Sequence, residues 1–187
     1  GVSDEDSVSS ASGSTASEDL TDFKQHLLDY HNRFRCMHGA PPVTWNEDVA
    51  QGAKVYIADK TSMQHDDSYS IPPPRGPAGE NLAWRRPTMD AKRAVQDWYE
   101  EVNDCVGGPT GFQDGCKRGA GGKATGHFTA VVWKGVSQIG CALNNENTIL
   151  ICRYWSGDTK SSRTANMGGG FTANVLPQVK SADECHE

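Results

Sequence analysis

Six cysteines, Cys36, Cys105, Cys116, Cys141, Cys152 and Cys185, constrain this chain more than any other feature. None forms the CxxC spacing of a zinc knuckle or a thioredoxin-type pair. An even number at dispersed positions points to three disulfides and an oxidising compartment. Many pairings are open in principle, and the flanking pattern narrows them. Two apolar runs, QIGCAL and TILICRY, flank Asn144-Asn145-Glu146-Asn147. If Leu143 faces Leu150 across an antiparallel turn, Cys141 faces Cys152, close enough to bond. Cys105 and Cys116 share a glycine-rich loop over 103–126, an easy closure. Cys36 and Cys185 remain, by elimination.

Between the cysteines the apolar residues recur at helical spacing. Leu20, Phe23, Leu27, Tyr30, Phe34 and Met37 mark one face of a first helix, stopped by Gly39 and Pro41-Pro42. Asn46 is placed to cap a second, with Glu47 and Asp48 in its positive first turn and Val49, Ala53 and Ile57 on its stripe. A third starts near Thr88. At about 100° per residue, Ala91, Ala94, Val95, Val102 and Cys105 fall within about 60° of Trp98. Glu101 lies on the margin of that stripe, at about −60°, while Glu100 points to water, at about 200°. A carboxylate turned inward needs a partner, because burying it alone costs several kcal/mol. Apolar residues on both faces of the two short strands call for layers above and below. Three helices and a small sheet predict an α/β fold, a three-layer α-β-α sandwich with disulfides.

Charge separates the ends from the body. Residues 1–19 hold seven serines, five acids and no basic or aromatic side chain, a composition that predicts a disordered tail. The remaining 168 residues carry 18 basic and 19 acidic side chains, a net charge of −1. That balance, without a basic stripe, excludes nucleic acid as an expected partner. No run reaches the roughly 18–20 apolar residues of a transmembrane segment. No signal-peptide pattern begins at Gly1, so the numbered chain reads as mature or leaderless. The organisation expected is a tail over 1–19, a domain over 20–160, and a C-terminal extension over 161–187 that wraps the domain and is pinned by Cys185.

Four ionisable residues stand out by context: His65 in SMQHDD at the end of the second helical region, Glu80 in GENLAW, Glu101, and His127 in the apolar stretch GHFTAVVW. The backbone around His127 reads as buried, so its imidazole needs partners. Two imidazoles and two carboxylates can satisfy one another by charge-assisted hydrogen bonds. They can equally hold a divalent cation, with His65 and His127 as metal ligands and the acids fixing their tautomers. Catalysis lacks its usual marks, there being no GxSxG and no HExxH.

Spacing alone does not gather these four, but the chain resembles a known family over residues 22–155. HNRFRCMHGAPPVTWN resembles the first-helix signature of the CAP family (cysteine-rich secretory proteins, antigen 5 and pathogenesis-related protein 1, also called SCP/TAPS). GENLAW is similar to its GENLA element, AVQDWYEE to its third-helix element, GHFTAVVW with IGCA to GHYTQVVW…GCA, and LICRY to the signature around VCNY. The resemblance implies a cavity tetrad of His65, Glu80, Glu101 and His127, and it too pairs Cys141 with Cys152. It implies a secreted, extracellular protein that is not an enzyme and has no catalytic residues. As in some members of the family, such a protein binds sterols or other lipids; two histidines with flanking acids themselves suit Zn2+ or Mg2+ in the cavity, with no cofactor required. It acts in defence or host–pathogen interaction. A protein receptor contacting loops 66–79 and 103–126 is the rival partner, a metal-assisted hydrolase or protease the rival activity, and a monomer or weak dimer the expected state. The proline-rich loop 71–79 is expected as a lid beside Glu80. The chain departs from the pattern at Asp66, where serine is usual, at Ala130 for glutamine, at Val136 for a small polar residue, and at WSGDTK for PxGN. It also lacks the cysteine that plant members carry just before Gly126.

Overall fold

The computed structural model describes residues 15–185, with side chains from residue 20 onward. Helix α1 (Thr15–Met37) starts five residues inside the segment expected to lack structure; residues 1–14 of that segment lie outside the described residues. Leu27, Phe34 and Met37 are buried as the periodicity predicts, whereas Leu20 is exposed, so the packed stripe begins at Phe23. A two-residue strand β1 (Thr44–Trp45) leads into α2 (Glu47–Ile57). Asn46 caps α2 by accepting the Val49 N–H at 3.0 Å, and Val49, Ala53 and Ile57 are buried.

Strand β2 (Ala78–Trp84) follows the proline loop, and α3 (Ala91–Glu100) follows β2, capped by Asp90 on the Arg93 N–H. A 3-10 turn over Glu101–Asp104 continues α3, which puts Glu101 just past the helix end. GHFTAVV forms α4 (Gly126–Val132), then come β3 (Gln138–Leu143), β4 (Ile149–Trp155) and the short α5 (Phe171–Asn174).

The sheet order is β1-β3-β4-β2, so β2 is an edge. β3 and β4 are antiparallel with Leu143 opposite Leu150 and Cys141 opposite Cys152, and β2 runs antiparallel to β4 with Glu80 opposite Arg153. Alternation along β4 divides the core into two layers. Ile149 and Ile151 join Leu82 of β2 beneath α2, with Ala53 and Ile57. Leu150, Cys152 and Tyr154 face α1, α3 and α4 on the other side, with Phe34, Trp98 and Phe128. Gly140 of β3 shows how closely α2 lies: a Cβ there would stand 2.3 Å from the Ala50 nitrogen. The arrangement is the three-layer sandwich read from the sequence, with α4 as an added element.

Three disulfides link Cys36 to Cys185, Cys105 to Cys116 and Cys141 to Cys152. Together with the Val179 N–H bond to the Met37 carbonyl, the first holds the C-terminal segment against the end of α1. His38 adds a third tie, its Nδ1–H donating to the Leu176 carbonyl and its Nε2 accepting from the Tyr99 hydroxyl.

Candidate functional site

An open cavity of about 340 Å³ lies along the edge strand, lined by His65, Glu80, Glu101 and His127 together with Asp66, Tyr69, Asn81 and Asn166. The four residues singled out from the sequence therefore converge. Period-two alternation explains how. Glu80 shares the α2-facing side of β2 with Leu82, while Asn81 turns to the opposite face. The cavity gathers side chains from both faces because, among the described residues, β2 has no neighbouring strand beyond it.

On the α2 side, the Glu80 carboxylate is almost wholly buried, its side chain 2% exposed. Oε1 accepts from His65 Nδ1–H at 2.8 Å and from the Asp66 N–H at 3.1 Å. Oε2 accepts from Arg153 Nε at 3.1 Å, and the Arg153 Nη2 reaches on to Asp66 Oδ2. Arg153 is itself 2% exposed and packs near the Tyr56 ring of α2. His65 lies in the loop eight residues beyond α2, not at its end, and its ring is more than half exposed.

On the other side, the Glu101 Oε1 accepts from His127 Nδ1–H at 2.8 Å. Its Oε2 accepts the backbone N–H groups of His127 at 2.9 Å and Phe128 at 3.2 Å. Thr125 gives α4 no side-chain cap, so Glu101 caps that helix from a neighbouring element, negative charge on the positive helix end. The His127 imidazole is only part-buried, 38% exposed, against the expectation of a core histidine: it stands at the start of α4, on the cavity rim.

Behind the cavity runs a buried chain of hydrogen bonds that the sequence reading missed. Asn81 Nδ2 donates to the His127 carbonyl and to the Tyr154 hydroxyl, each at 3.0 Å. Tyr154 donates to His31 Nε2 at 2.9 Å, and His31 Nδ1–H donates to the Leu27 carbonyl at 2.6 Å. Burial pulls His31 down to about 4, outweighing its bond to Leu27, so the ring is neutral and the chain keeps one direction. Arg35 anchors the far end of α4, donating to the carbonyls of Val131, Trp133 and Val136. Burial lowers its pKa to about 10.

The proline loop 71–79 contributes no lining residue, so it does not cover the cavity as the expected lid would; Ala124, Gly126 and Asn166 are among the residues that line it. Asn166 donates to the Gly126 carbonyl at 2.8 Å. Gly79 lets this segment approach, since a Cβ there would lie 2.7 Å from the Ala165 Cβ.

The profile of the cysteine-rich secretory protein family (CAP) matches residues 28–155. A probable pathogenesis-related protein of Candida albicans is 32% identical over 175 residues, covering 91% of this chain and 46% of that protein. The human Golgi-associated plant pathogenesis-related protein 1 is 29% identical, covering 84% of this chain and 95% of that protein. The secreted protein RBT4 of Candida albicans is 32% identical, covering 83% of this chain and 41% of that protein. The chain thus spans about half or less of these fungal relatives' length. Among solved structures, NaASP2 with Zn2+ shares the fold at a TM-score of 0.61, with 19% identity over 87% of this chain and 89% of that one. The convergent cavity, the paired cysteines and the profile match agree: this chain belongs to the cysteine-rich secretory protein family.

Proposed function

We propose that this chain is a secreted, non-catalytic binding domain whose cavity takes a divalent cation through the Nε2 atoms of His65 and His127, in a defence or host–pathogen setting. One observation carries the reading. Each imidazole commits Nδ1–H to a carboxylate, at 2.8 Å in both cases, which leaves the Nε2 lone pair as the ligand atom. Imidazole nitrogen suits zinc better than magnesium. Two protein ligands leave the other positions to water, so the ion is held reversibly. Among the described residues no group of three or more His, Cys, Asp or Glu is placed to hold a metal, so the ion would rest on the two imidazoles alone. A structure of the same fold is described with Zn2+.

The carboxylates argue against a hydrolase. Glu80 and Glu101 each accept three hydrogen bonds, which holds them as supports rather than free general bases. Calorimetric zinc titration at pH 7.5 and 5.5 tests the cation reading. Saturable binding that weakens in acid and vanishes in His127→Ala is expected, because only neutral imidazole coordinates. No heat of binding at pH 7.5 rejects it.

A groove of about 510 Å³ between α1 and α2 supports lipid or sterol as a second ligand, lined by Phe23, Leu27, Trp45, Ala142 and Leu143. Mass spectrometry of lipids carried by the natively secreted protein is expected to find a bound species. A titration in which neither labelled sterol nor fatty acid saturates rejects this part.

A further inference from the structure

The two halves of the cavity differ in one respect. Glu101 is held by neutral donors, whereas Glu80 also meets a guanidinium. We propose that Arg153 acts as a resident cation that weakens, and so tunes, divalent-ion binding at His65 and His127. The inference rests on the cation reading above.

Three observations support it. Glu80 and Arg153 stand opposite each other on β2 and β4 and share one face, so the fold forces their approach. Both side chains are 2% exposed, so solvent screens their charges little. The guanidinium spans two acids of the cavity, Nε on Glu80 at 3.1 Å and Nη2 on Asp66. It is confined there by Gly52 and Tyr56 of α2: a Cβ at Gly52 would already come within 3.5 Å of Nη1.

Without Arg153, three acids, Asp66, Glu80 and Glu101, would face the ion. With it, one positive charge opposes the incoming cation and occupies the Glu80 and Asp66 oxygens that a metal would otherwise recruit. Arg153 is a positioning and affinity-setting residue, since it acts through Glu80 and Asp66 rather than through the ion itself.

Zinc titration by calorimetry at pH 7.5 tests this in the wild-type chain and in Arg153→Gln, Arg153→Lys and Asp66→Asn. Arg153→Gln is expected to tighten zinc about tenfold or more, the scale on which groups behind metal ligands act, and to lose that gain when combined with His127→Ala. Arg153→Lys, which keeps the charge, should bind as the wild type does. Asp66→Asn, which leaves Arg153 one acid instead of two, should bind several-fold more weakly. Unchanged or weaker binding in Arg153→Gln, or equal tightening in Arg153→Lys, overturns the inference while leaving the cation reading intact. Absence of binding in both wild type and Arg153→Gln overturns the cation reading, and this inference with it. Should circular dichroism show that Arg153→Gln does not fold, the double variant Arg153→Gln/Asp66→Asn, read against Asp66→Asn, decides: tighter binding in the double variant supports, equal or weaker binding overturns.

Discussion

Replacing Glu101 separates its two roles, because one carboxylate oxygen serves the helix and the other serves the imidazole. In Glu101→Ala the N–H groups of His127 and Phe128 lose their acceptor at the start of a helix that has no cap of its own. Loss of an N-cap costs about 1–2 kcal/mol, and loss of a negative charge on the positive helix end adds about 0.3–1 kcal/mol. The bond to His127 Nδ1 joins a part-exposed ring to a side chain 19% exposed, so it counts as about 1 kcal/mol. Together these give about 3 kcal/mol, or roughly 6–12 °C in melting temperature for a chain of this size. Glu101→Gln keeps an oxygen for the two N–H groups but turns an NH2 toward Nδ1. It should cost about 1 kcal/mol yet force the proton onto Nε2, removing the free lone pair and abolishing zinc binding.

Urea unfolding followed by tryptophan fluorescence measures the first effect, with Glu100→Ala as the control. Glu100 is exposed, and among the described residues its carboxylate accepts from Gln96 alone, so its removal should stay within about 0.5 kcal/mol. Equal losses in Glu101→Ala and Glu100→Ala would refute the cap. Zinc binding retained in Glu101→Gln would refute the tautomer argument.

Acid should destabilise the chain through its buried histidines. Burial lowers both His31 and His38 from 6.5 to about 4, so between those values the unfolded chain binds protons that the folded chain does not. Stability is full above about 6.5 and falls as the pH drops toward 4, by about 2 kcal/mol per histidine between pH 6.5 and 5. Urea midpoints that do not move between pH 7 and 5 would contradict this. Replacing Cys36 and Cys185 by alanine opens a link across 149 residues. It should cost about 5 kcal/mol in the chain-entropy treatment, against about 3 kcal/mol for the 11-residue link of Cys105 and Cys116. Denaturant titration of the two double variants reads the difference, and a larger loss in the second would contradict the ranking.

What the sequence made legible was governed by local rules. Asn46 announces α2 because a capping side chain acts within one turn, and Leu143 opposite Leu150 fixes the hairpin because side chains alternate strictly. The wheel that separated Glu101 from Glu100 held although Glu101 sits past the helix end, since the 3-10 turn continues the rotation. α4 escaped because five of its seven residues are buried, leaving no polar face to mark a period. The edge position of β2 depends on strand order, which no window of sequence contains. Gathering the tetrad required family resemblance for the same reason. Arg153 was nevertheless signalled: alternation in TILICRY places it on the face of Ile149 and Ile151, and an inward arginine demands an acid.

The position of the cavity follows from that edge. An interior strand is covered on both sides, so residues on its two faces cannot meet; at a free edge they can, and β2 uses the opening to bring Glu80 and Asn81 to one depression. Free edges also invite pairing with other chains, and buried charge of this kind is one way to blunt them. Glu80 therefore answers two demands at once. Its carboxylate, bonded to Arg153 and His65, keeps the strand edge polar and also aims an imidazole at the cavity. A change that dropped both demands, such as an apolar pair at positions 80 and 153, would keep the sandwich packed but bare the strand edge and remove half of the site.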